Sequence, residues 1–173
     1  MKKVFVILMT GAIILTGCAT VQSIIKSTFP YTASLLIPSS AKADAPASAT
    51  SSASSFDEIF GNQNGTSYIK EVRIASAKLS AGNPADKSMG MFKSVKLYIS
   101  NGDSGEIMVA SRSDVQENIG TSLVLDIDNS KFLDNYIRGK SLKVRVAYVL
   151  RNSNTNDVSV RAALSFTAAP NTQ

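Results

Sequence analysis

The sequence predicts a mostly-β chain folded as an antiparallel β-sandwich with one or two short helices. Three observations predict it. Residues 142–150 and 158–166 alternate apolar and polar positions along their whole length. Shorter stretches at 95–99, 107–109 and 123–127 keep the same period of two. Clusters of Asn, Gly, Asp and Ser separate these stretches, as turns between strands require.

Taken in chain order, the first element is not part of that domain. Lys2 and Lys3 form a short positive segment, and Val4 to Leu15 is apolar but too short for a stable membrane-spanning helix. Leu15-Thr16-Gly17-Cys18 follows. This resembles the lipobox of bacterial lipoproteins. The resemblance covers the signal segment only. It implies a signal peptide over 1–17, cleavage before Cys18, and a diacylglycerol thioether (a palmitate-type lipid anchor) on the Cys18 sulfur. A cysteine so modified carries at least two acyl chains, enough to hold a protein stably on a membrane. In that family an Asp after the cysteine tends to retain the protein in the inner membrane. Ala19 stands there instead, which implies the outer membrane if the cell has one. No other segment approaches the roughly 20 apolar residues of a transmembrane helix.

Residues 18–29 read as anchor and tether, and 30–173 as one domain. Val21, Ile24 and Ile25 recur at helical spacing within the tether. Tyr31 to Ile37, between Pro30 and Pro38, predicts a first or edge strand. Residues 39–55 are rich in Ser and Ala with little to bury, and predict a mobile loop. Ser55 to Gly61 predicts one helical turn, capped by Ser55, favoured by Asp57 and Glu58 in its first turn, and ended by Gly61. Tyr68 to Ser80 predicts a long strand. Val72 and Ile74 share one face while Ala75, Ala77 and Leu79 share the other, so a bulge is expected between them.

Val95, Leu97 and Ile99 alternate, Asn101-Gly102-Asp103 supplies a hairpin turn, and Ile107 and Val109 resume. Leu123, Leu125 and Ile127 predict a further strand with Asp126 and Asp128 on its wet face. Asp128 or Asn129 can cap a helix to about Arg138, with Phe132, Leu133, Tyr136 and Ile137 as its apolar stripe and Gly139 beyond its end. The even residues from Leu142 to Leu150 and from Val158 to Phe166 predict two inward faces, read as a hairpin. Parity then requires an odd loop of three or five residues. The sum is about seven strands in an Ig-like or jelly-roll-like sandwich, with a small closed barrel as the alternative.

Cleavage before Cys18 would leave 156 of the 173 residues, enough for a substantial core. The one cysteine is Cys18, so the domain must stand on packing without an internal disulfide. The chain has 18 basic and 13 acidic residues, and loss of Lys2 and Lys3 leaves a net charge of +3. That mild, dispersed charge argues against nucleic acid as a partner. Histidine is absent, which removes the commonest general base and metal ligand. Gly102-Asp103-Ser104-Gly105 echoes a serine-nucleophile motif, but without histidine that triad cannot be assembled, and the segment reads as a turn. Asp126 to Ser130 matches a calcium loop only in part, lacking its Gly and Glu. Asn64-Gly65-Thr66 reads as a turn rather than a glycosylation site. No metal and no cofactor is expected.

The candidate binding surface is cationic. On the outward face of the expected final hairpin, Lys143, Arg145 and Arg161 fall within diagonal reach, with Arg151 near the turn. The simpler reading is a solvated outer sheet. Tyr98, which shares its face with Ser94 and Lys96, is the best ring for an exposed aromatic contact. The leading expectation is a non-enzymatic, membrane-anchored cell-envelope protein that binds or scaffolds another envelope component. The alternatives are a surface module for anionic lipid or glycan and, more weakly, a hydrolase using the Asp126 and Asp128 carboxylates.

Overall fold

The computed structural model describes residues 28–61, 64–102, 105–139 and 141–171. Cys18, the signal segment and the Val21–Ile25 spacing lie outside them, as do Asp103 and Ser104. The described residues form two antiparallel sheets that pack face to face around one core. The strands are β1 (Thr28–Ile37), β2 (Pro46–Thr50), β3 (Ile69–Asn83), β4 (Phe92–Ser100), β5 (Glu106–Arg112), β6 (Ser122–Val124), β7 (Asp126–Ile127), β8 (Lys143–Leu150) and β9 (Val158–Pro170).

The first sheet has the order β1-β9-β3-β6, and the second β2-β8-β4-β5-β7. The pairings are nested. β4 pairs with β5, β3 with β6, β2 with β8 and β1 with β9, each antiparallel. Successive pairs of this long folded hairpin alternate between the two sheets, which is the strand order of a jelly roll. Each sheet keeps two separate edges, so the sandwich is not a closed barrel.

Alternation in the sequence becomes alternation in burial. Leu142, Val144, Val146, Tyr148 and Leu150 are buried, as are Val158, Val160, Ala162, Leu164 and Phe166. Buried aromatic rings pack the core, with Phe56 of the turn before β3 edge-on to Phe166 of β9 at 5.1 Å, and Phe92 edge-on to Tyr148 on the neighbouring strand at 5.6 Å. β3 carries the expected bulge between Ile74 and Ser76, and Val72, Ile74, Ala77 and Leu79 thereby all reach the core. Ser55 and Glu58 form a reciprocal capping box on the 3-10 turn Phe56–Phe60, and Gly61 ends it at φ 65°.

Four expectations are corrected. Residues 39–55 are not a loop throughout. β2 pairs with β8 in register, and Ser51 N–H donates to the Val144 carbonyl at 2.8 Å. Ladder bonds can hold an edge strand that buries only small side chains. The strand expected over 123–127 is two strands in different sheets, because the chain crosses the core at buried Leu125. The helix expected to reach Arg138 is the single turn α1 (Asp134–Ile137), preceded by Leu133 without a side-chain cap. Leu133 and Ile137 are buried, but Phe132 is exposed beneath the Arg73 guanidinium at 3.9 Å. Finally, β8 and β9 are not a hairpin. They lie in opposite sheets, and residues 151–157 cross between them. Two strands with one apolar face each can satisfy the same alternation side by side or across a core about 10 Å thick.

Candidate functional site

The separation of β8 from β9 dissolves the expected cationic patch. Lys143 and Arg145 lie on the outer face of the second sheet, whereas Arg161 is exposed on the outer face of the first. Arg151 is engaged by the main chain. Its Nε donates to the Gly90 carbonyl at 3.1 Å and an Nη to the Val115 carbonyl at 2.6 Å. It clamps two connections at one end of the sandwich. Gly90 fits there because a Cβ would lie 1.8 Å from the Glu117 carbonyl oxygen.

What the second sheet does assemble is a compact cluster around Arg145. Register places Tyr98 directly opposite Arg145, and Ser100 opposite both Lys143 and Glu106. Arg145 Nε and Nη2 each donate to one Glu106 oxygen at 2.6 Å, a two-point pairing. Its guanidinium also lies over the Tyr98 ring, 4.3 Å from the centroid. Arg145 hydrogen-bonds Glu106 and so holds that carboxyl below its ordinary range, with the positive charge adding to the effect. Glu106 in turn raises the Arg145 pKa. The pair is part-exposed, with 28% and 36% of the side-chain areas of Arg145 and Glu106 open.

Met108 lies opposite Tyr98, Thr50 opposite Arg145, Ala147 opposite Lys96 and Val149 opposite Ser94. The result is a flat mixed face of one aromatic ring, one anchored arginine, small apolar side chains and the exposed cations Lys96 and Lys143. Tyr98 is half-buried beneath Arg145, and among the described residues the most open ring is Tyr68 at 70%. Glu106 was missed in the sequence. The strand register across the Asn101–Gly105 turn was the available signal, since it sets Glu106 against Ser100, two residues from Tyr98.

The two carboxylates considered for hydrolysis are engaged separately. Asp126 pairs with Arg112 at 3.2 Å. Asp128 pairs with Lys131 at 3.1 Å and accepts from the Ser130 hydroxyl at 2.6 Å. Ser130, by side chain and backbone, and Lys131 hold the Asp128 carboxyl down to about 2. Among the described residues, no three Asp, Glu, His or Cys side chains converge as a metal site. At the Tyr68 end of the sandwich, Asp57, Asn64, Thr66, Ser67, Arg138 and Asn171 line an open polar groove. Asp57 there already accepts from Thr66 N–H at 2.9 Å, and Asn171 donates to the Ser67 carbonyl at 3.1 Å. No protein-family model matches this sequence, and no curated protein matches it.

Proposed function

We propose that this chain is a lipid-anchored, non-enzymatic protein of a bacterial cell envelope, and that its jelly roll binds or scaffolds another envelope component. The observation that carries the reading is Leu15-Thr16-Gly17-Cys18 behind a short apolar segment and Lys2-Lys3. Absence of histidine and of any second cysteine supports a binding role over catalysis. The flat face around Tyr98, Met108 and Arg145 supports a macromolecular partner. Tyrosine, methionine and arginine are enriched at protein interfaces, and anchored aromatic and arginine side chains carry much of their binding energy.

Two linked measurements test it. Metabolic labelling with a palmitate analogue should label the native protein and leave Cys18→Ala unlabelled. A native chain without label would overturn the anchor. Cross-linking and affinity capture of the lipidated protein from its own envelope should recover a stoichiometric partner. Tyr98→Ala with Arg145→Ala should cut that recovery at least tenfold. Recovery of the protein alone would overturn the scaffolding role. The second reading, a glycan module, is favoured by one observation, the exposed Tyr68 ring at the end of the sandwich that holds the polar groove.

A further inference from the structure

We infer that the outer face of the first sheet rests on an anionic phospholipid surface beside the acyl anchor. This rests on the anchoring at Cys18 proposed above. β1 begins at Thr28, so nine residues separate it from Cys18, and the connection can extend no more than about 35 Å. β1 is the edge of the first sheet, so the tether enters the domain at that sheet.

The charge on this face fits the destination. Its four strands carry Lys70, Arg73, Lys78 and Arg161, and their only acid is Glu71, in the bulge after Lys70. Among the described residues none of these four cations is in an ion pair. Arg73 donates to the Asn129 carbonyl and covers Phe132. On the second sheet Lys93, Arg112 and Arg145 are each matched to an acid, and Lys96 and Lys143 are its open cations. Register sets the unmatched cations among hydroxyls. Ser34, Arg161, Ser80 and Ser122 form one cross-strand row, and Thr32, Ala163, Lys78 and Val124 the next. Lys78 and Arg161 are thus diagonal neighbours, roughly 7–8 Å apart at the backbone. Cations with hydroxyl donors between them suit phosphate oxygens. Leu36 and Val124 stand out from the same face, 55% and 66% exposed, and supply apolar area to the interface.

The test uses the lipidated protein in vesicles of phosphatidylglycerol with phosphatidylcholine, or of phosphatidylcholine alone. Lysines are labelled by an amine-reactive reagent and read by peptide mass. Each cation against an anionic surface contributes about fivefold in affinity. Lys70 and Lys78 should therefore label at least about fivefold more slowly on the anionic vesicles, while Lys96 and Lys143 label equally on both. At about 1 M salt, where screening acts within roughly 3 Å, the difference should vanish. Arg161→Glu, an exposed change whose fold a thermal melt checks, should return most of the lost rate at Lys78. Equal rates on the two vesicles, or slowing at Lys143 instead, would overturn the inference. So would protection of Lys70 and Lys78 in native envelopes but not on phosphatidylglycerol, which would assign this face to a protein or glycan. The mass of the N-terminal peptide reads acylation separately. An acylated protein with equal rates loses only the membrane face, and an unacylated one loses the anchor as well.

Discussion

Arg151 and Arg145 are six residues apart, and their surroundings give them opposite tasks. Arg151 spends its donors on two main-chain carbonyls, so its loss leaves part-buried acceptors unpaired. Arg151→Ala should cost about 1.5–3 kcal/mol in a denaturant melt, and Arg151→Lys nearly as much, since an ammonium cannot span both carbonyls. Arg145 is matched to a part-exposed carboxylate, where a double-mutant cycle with Glu106 should give no more than about 1 kcal/mol. The acids make the pH dependence specific. Glu106 and Asp128 have depressed pKa values in the folded state, so each stabilises the fold above its ordinary value and loses that contribution as pH falls through the folded one. Thermal stability should be flat with respect to these groups above about pH 5 and should fall below about pH 4. The Asp128 carboxyl should titrate near 2 by NMR, and Ser130→Ala should move it upward because the hydroxyl is the largest cause of the depression.

At the scale of elements, the strand β2 shows how composition misleads. In β2, Ala47 and Ala49 face inward, while Pro46, Ser48 and Thr50 face out. This is a period of two written in alanine, and a Ser/Ala-rich composition hides it. The amides of Asp44, Ser51 and Ser54 donate to the carbonyls of Leu150, Val144 and Leu142. Hydrogen exchange should show all three protected well beyond the neighbouring turn at 39–40, and free exchange would return the segment to a loop. The opposite error occurs at 128–138. Phe132, Leu133, Tyr136 and Ile137 have helical spacing, yet the Asp128 side chain bonds Ser130 locally, and only Asp134–Ile137 closes a turn. An Asx turn offers the backbone a competing partner, and a short stripe cannot outweigh it.

Over the whole molecule the nested pairing dominates. β1 meets β9 across most of the described chain, with Thr28 opposite Thr167, so few native contacts are local. Chains of this kind fold slowly because loop closure precedes the contacts that reward it. Refolding from denaturant should take milliseconds to seconds in stopped-flow fluorescence from the tyrosines. Phe166→Ala, which empties the contact with Phe56, should cost about 3–5 kcal/mol. A sub-millisecond phase that recovers the full signal would contradict the nested order. The two outer faces divide the proposed labour, one toward lipid and one, around Tyr98 and Arg145, away from it.

Which residues face the core was legible in the chain. The alternations at 142–150 and 158–166, the bulge in β3 and the Ser55 cap are local consequences of a side-chain period of two and of backbone donors needing partners. Which strands neighbour each other was not legible, because an inward face is satisfied equally by a partner beside it or across the sandwich. That choice placed Arg161 with Lys78 rather than with Arg145, and Glu106 with Arg145. Surface sites are built from residues on adjacent strands, and adjacency in a jelly roll is set by long-range pairing that no short window of sequence contains.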